Sequence, residues 1–354
     1  MLARQSQCAR AHLIATATLA LVSSPVLAHG DHGGGGTVLP AGITLVTLDV
    51  DDVKYQPIPD ARLTALAVQG VDGVHSLKSI VVPSISIGYG VTSDLTLGVR
   101  LPYLANREIR ETDTAGGSYV ERGGVYGIGD TTITATYRFL HEASAGFDAA
   151  GIIGVKVPTG RNDAQDKFGA AFETEHQPGS GSWDGVFGLA VSKQVGVFGL
   201  SGNVLYGLAG DGDRATNLGD RFSYGVGVSY RVWTGSLGGG SAMQLGADRP
   251  DGMMHHGGPH AHDGDGDAPH GNRAATLAVD LTLGINGDWH DQQTIAGVRD
   301  GNTGGNIVTV SPGLRVSNER TTTSVTVGIP LATSLNGIQS EPDWRLAAGF
   351  GVKF

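Results

Sequence analysis

Histidines and carboxylates carry most of the chemistry this sequence could perform. His255, His256, His260, His262 and His270 are interleaved with Asp263, Asp265 and Asp267 in a stretch of glycine and proline, and His29-Gly30-Asp31-His32 forms a second group. Imidazole together with carboxylate suits zinc, copper or nickel, and a free amine beside His29 would add a nitrogen ligand. These histidines are candidate metal ligands, and a weakly bound Zn, Cu or Ni ion is the one cofactor the sequence suggests. The competing reading is a solvated spacer of weak, unselective affinity. Glu173 and Glu175 stand beside His176, with nothing in the sequence to aim them at a reacting group. No His-Glu-x-x-His motif, nucleophile elbow or phosphate loop occurs, so an enzyme is not expected.

A further set of candidates comes from parity, because side chains alternate faces along a strand. In the last segment Trp344, Leu346, Ala348, Phe350, Val352 and Phe354 share one face, while Arg345, Ala347, Gly349, Gly351 and Lys353 share the other. The same alternation runs through residues 221–232 and 276–285. With the apolar parity turned to lipid, Lys78, Arg100, Arg138, Lys156, Arg221, Arg231, Arg315, Arg345 and Lys353 face a lumen, together with Asp130, Asp184 and Asp280. A basic lining would ease the entry of anions and oppose cations. Either these side chains line a narrow pore or they pair with acids and fill it.

The elements that must hold these residues are strands near 41–52, 75–89, 94–107, 124–140, 148–158, 182–194, 198–209, 220–233, 274–289, 305–317, 321–332 and 344–354. Twelve is even, as bacterial single-chain barrels require, and about ten residues cross a bilayer at a tilt. Short connections at 90–93, 141–147, 196–197 and 317–320 belong on the periplasmic side; those near 53–74, 108–123, 159–181, 210–219, 290–304 and 333–343 are long and extracellular. The segment 234–273 is the longest, yet parity assigns it, with its histidines, to the periplasmic side. In the first long loop Asp60 is placed to cap a brief helix through Val68, over the pore mouth.

Alternation alone also fits a soluble sandwich. Aromatics at strand ends (Tyr89, Tyr103, Phe139, Trp183, Trp344), a polar face of glycine and threonine, and the terminal Phe354 favour an all-β transmembrane antiparallel up-and-down barrel. Phe354 also resembles the signal by which the barrel assembly machinery recognises outer-membrane strands.

Arg4 and Arg10 precede an apolar run from Leu13 to Val22 and a small-residue site ending at Ala28, which reads as a secretory signal peptide over 1–28. A tail rich in histidine and glycine, 29–40, would follow, then the barrel, 41–354, with an insertion at about 250–272. The expected place is the outer membrane of a Gram-negative cell, with its lipid as one partner. Cys8, the single cysteine, lies in the signal segment, which closes thiol and disulfide chemistry for the mature chain. Glycine, at 57 of 354 residues, is about twice its usual frequency. Removing the signal leaves 22 Lys+Arg against 34 Asp+Glu, an acidic balance that argues against nucleic acid as a partner.

Several stretches carry a family resemblance: His75-Ser76-Leu77-Lys78-Ser79 with Val82-Pro83-Ser84; Leu95 to Tyr103; Gly127-Ile128-Gly129-Asp130; Lys156-Val157-Pro158-Thr159-Gly160; His176 to Asp184; and Leu218 to Phe222. Together they resemble the outer-membrane family of the MetA pathway of phenol degradation. The resemblance implies a transporter-like, porin-like barrel for aromatic or other small compounds, without established catalytic or binding residues. The expected function is therefore passive passage of small solutes, anionic or aromatic; metal handling on the periplasmic side and a purely structural barrel are the alternatives.

Overall fold

The computed structural model describes residues 38–71, 73–236 and 276–354. The signal segment, the tail through residue 37 and the insertion fall outside the described residues, and with them His29, His32, His255, His256, His260, His262 and His270. Twelve antiparallel strands form the wall: β1 Thr44–Gln56, β2 Ser79–Gly90, β3 Leu95–Asp113, β4 Thr131–Leu140, β5 Asp148–Val157, β6 Asp184–Val195, β7 Phe198–Leu208, β8 Arg221–Ser236, β9 Thr276–His290, β10 Gly305–Ser317, β11 Thr321–Leu335 and β12 Glu341–Lys353. Each pairs with its neighbours in sequence, and β12 returns to β1 from Leu45↔Lys353 to Gln56↔Glu341. At the seam the Thr44 N–H donates to the Phe354 carbonyl at 3.1 Å, and the Phe354 N–H donates to the Thr44 carbonyl at 2.8 Å.

A closed barrel satisfies every strand edge, which a bilayer demands because its core offers no water to unpaired backbone groups. Apolar side chains such as Ile285, Leu283 and Leu331 point outward and are exposed, while Ser84, Ser86, Thr132, Thr134 and Thr136 point inward and are buried. Val226, midway along β8, is 62% exposed on the outer face. Val226→Arg is therefore expected to lower the unfolding free energy by about 2–4 kcal/mol, the penalty for arginine at the bilayer midplane. Urea unfolding of the protein folded into lipid vesicles reads this directly; a loss below about 1 kcal/mol would move Val226 to the interface.

Short connections gather at one end of the barrel and long ones at the other. Ser236 pairs with Thr276, so β8 ends and β9 begins at the short-turn end. Two of the long connections differ from the sequence expectation. β3 continues to Asp113 and folds back as an arm, Ser118–Ile128, paired with Tyr103–Asp113 where a loop is predicted. The predicted strand 124–140 is split at Gly129-Asp130, because the Asp130 carboxylate turns inward to hold another loop. The short helix α1 spans Asp60–Val68, but Pro59 occupies its N-cap and no side chain caps it. Asp60 instead accepts hydrogen bonds from Arg110 and, at 3.0 Å, from the Tyr119 hydroxyl. Leu63 is buried with Ile58 and Val74 against Tyr119 and Ile338, which fixes the helix to the arm and to the last long loop.

Candidate functional site

The loop from β5 to β6 folds inward over the long-loop end, and its neck is closed by buried polar groups. Asp130, fully buried, accepts from the Gly160 N–H at 2.9 Å with one carboxylate oxygen. Its other oxygen accepts from the Ser180 N–H at 2.9 Å and the Ser180 hydroxyl at 2.7 Å. One side chain thus ties both ends of the loop to the wall. Lys156 Nζ completes the neck, 2.6 Å from Ser180 Oγ, 2.5 Å from Asp184 and 3.5 Å from Asp130. Glycine is required where the two ends meet: a Cβ on Gly179 would lie 2.5 Å from the Gly160 carbonyl carbon, and one on Gly160 would lie 2.6 Å from the Gly179 Cα.

Inside the loop Gln177 donates to the Ala164 and Phe172 carbonyls and accepts from the Ala164 N–H, and Asn106 donates to the His176 carbonyl at 3.1 Å. These bonds carry the turn Thr174–His176 to His75, which lies on a two-residue strand paired with Arg110–Glu111. His75 Nδ1 is 3.2 Å from Glu175, and its Nε2 is 3.3 Å from Glu173 and 3.5 Å from Glu111. The His176 ring meets His75 edge-on, 4.7 Å between centroids, with its Nε2 3.4 Å from Glu175. Burial opposes a charge on His75, but hydrogen bonds to Glu111 and Glu175 overcome it and raise its pKa well above the ordinary value. Burial would raise Glu175 too, yet the bond from His75 leads the effects that pull it down to about 2. His176 is pushed down to about 4, chiefly by burial.

The cluster borders a cavity of about 170 Å³ at the long-loop end. Its lining combines Tyr55, Leu77, Ile307, Leu335 and Ile338 with the polar groups of His75, Glu175, His176, Asp288 and Gln293. The sequence reading names Glu173, Glu175 and His176 but does not join them to His75, because about a hundred residues separate the two histidines and only the barrel's topology brings them together. The signal available was that both histidines fall within stretches carrying the family resemblance.

The parity candidates are distributed as follows. Arg100 is buried with its guanidinium 3.1–3.2 Å from Ser84 Oγ. Arg138 reaches Asp94 at 3.0 Å and Asp148 at 3.7 Å, at the short-turn rim. Arg231 and Arg315 share Asp280, the latter at 2.9 Å, and Arg345 meets Asp51 at 2.5 Å. Arg221 is buried near the long-loop end, with neither terminal guanidinium nitrogen hydrogen-bonded. Lys78 departs from its expected position: it precedes the wall strand, is exposed, and pairs with Glu108 at 2.7 Å. The expected excess of basic charge is also corrected, because Asp51, Asp94, Asp148 and Asp288 join Asp130, Asp184 and Asp280 among the inward and rim groups.

A family model described as "Putative MetA-pathway of phenol degradation" matches residues 68–264. The chain belongs to this family. The MetA-pathway match covers β2 to β8 and includes His75, the Asp130 neck and the whole inward-folded loop. No match is found among curated proteins. An outer membrane channel from Pseudomonas putida F1 shares the fold at a TM-score of 0.53 and 16% identity, covering 92% of this chain and 100% of that one. The β domain of the Bordetella autotransporter BrkA aligns at 0.43 with 10% identity, over 89% of this chain and 100% of that chain. The Pseudomonas putida toluene transporter TodX aligns at 0.38 with 9% identity, over 89% and 90%. This chain shares with the Pseudomonas putida F1 channel the fold of an outer-membrane β-barrel.

Proposed function

We propose that this protein is an outer-membrane channel that admits small uncharged aromatic compounds of the phenol class through the vestibule at its long-loop end. The observation that carries this reading is the vestibule itself. A cavity of about 170 Å³, lined by apolar and hydrogen-bonding side chains together, suits a single ring bearing one or two hydroxyl groups. The family description points to the same chemistry. Anions are disfavoured there, because Glu175 and Asp288 line the cavity and the interior arginines are largely paired with aspartates.

Planar-bilayer recording of the purified full chain tests this. Small, weakly selective conductance is expected, with catechol or phenol blocking the current in a concentration-dependent way and benzoate leaving it unchanged. Absence of conductance would refute the channel, and equal block by benzoate would refute the solute class.

A further inference from the structure

We infer that His75, Glu173, Glu175 and His176 form a binding site for one divalent transition-metal ion, which ties the inward-folded loop to the barrel rim. One ligand atom from each lies within 4.8 Å of all the others, close enough to converge on a single ion after small side-chain adjustments. Two imidazoles with two carboxylates make a borderline donor set, suited to zinc, nickel or cobalt rather than calcium or magnesium, which prefer oxygen alone.

Two further observations favour a cation at this cluster. His176 is buried, 4% exposed, yet neither ring nitrogen makes a hydrogen bond; its Nε2 meets only the Glu175 carboxylate, at 3.4 Å. Buried polar atoms without partners are rare and costly, and a metal bound through one ring nitrogen would remove the larger part of that cost. The charge balance also falls short. Four carboxylates, Glu111, Glu173, Glu175 and Asp166, are drawn together around Arg122 and His75, an excess of acidic groups that a divalent ion would offset.

The surroundings are those of a supported metal site. Outer partners that orient the ligands are normally part of such sites. The His176 carbonyl is held by Asn106, and His75 is placed by backbone pairing with Glu111. His75, Glu175 and His176 also border the vestibule, so an ion there keeps a face open to a solute oxygen or to water. This site is distinct in sequence from the histidine tract at 255–270.

The test must separate the two. In the full chain, His29, His32, His255, His256, His260, His262 and His270 are replaced by Asn, and the purified protein is stripped with chelator. Titration with Co2+, followed by visible absorption and then displaced by Zn2+, is expected to show one equivalent bound through mixed nitrogen and oxygen ligands. On that background His176→Ala should weaken Zn2+ binding by more than the 10–100-fold that loss of an outer partner costs. Glu173→Gln, at a half-exposed position remote from the loop neck, should weaken it at least 10-fold with the barrel intact by circular dichroism. Failure to bind one equivalent, unchanged affinity in both variants, or Ca2+ binding as tight as Zn2+ would overturn the site.

Discussion

Asp280→Asn should lower the unfolding free energy by about 3–5 kcal/mol, the typical cost of breaking a buried ion pair from one side. Asp280 is fully buried between β8 and β10, and its two oxygens serve Arg231 and Arg315. Asparagine keeps the shape and one acceptor but removes the charge, so two guanidinium groups on the neighbouring strands β8 and β10 are left without a counterion. Denaturant unfolding in lipid vesicles measures the loss. Adding Arg315→Gln to the variant should recover part of it, because the remaining arginine then has less positive charge to oppose. Bilayer recording provides a second readout, since two unneutralised arginines should turn the conductance toward anions. A loss under 1 kcal/mol, with selectivity unchanged, would mean that lumenal water already screens the triad.

Gly179→Val should release the inward-folded loop while leaving the wall in place. The new side chain would collide with the Gly160 backbone, and neither strand of the neck can retreat without breaking the bonds from Asp130. Each buried N–H left without its acceptor costs about 1–3 kcal/mol, which is enough to favour an open loop. Trypsin cleavage at Arg161 or Lys167, followed by mass spectrometry, should accelerate at least 10-fold, and single-channel current should rise as the vestibule loses its cover. Protection identical to the parent chain would show that the contacts of His176, Gln177 and Phe172 hold the loop without its neck.

The wall was legible in the sequence because lipid and lumen impose opposite demands on alternate residues. Leu281, Leu283 and Ile285 against Asp280, Thr282 and Gly284 leave one register for β9, and the strand follows it. Parity says less about charge. Asp51 lies on the inward face of β1 and offsets one arginine, while Asp94 and Asp148 stand at or beside turns, where alternation no longer says which way a side chain points. The interior therefore looked basic until those partners were in place. The break at Asp130 was hidden for a different reason: Gly127-Ile128-Gly129-Asp130 keeps strand-like spacing, and only the arriving loop explains why a carboxylate belongs there. The vestibule cluster lay beyond any local pattern, since His75 and His176 meet through the loop's inward fold.

The seam between β1 and β12 sets the order of assembly. Leu45 finds its partner at Lys353, about three hundred residues later, so the barrel's first strand must wait with an open edge until the last has been delivered. Contacts of such separation form slowly, and an unpaired edge left waiting invites pairing with another chain. A chain shortened by its final strand would leave two open edges rather than a slightly smaller pore. Closure of the wall therefore depends on the meeting of Thr44 with Phe354, the two ends of the strand order.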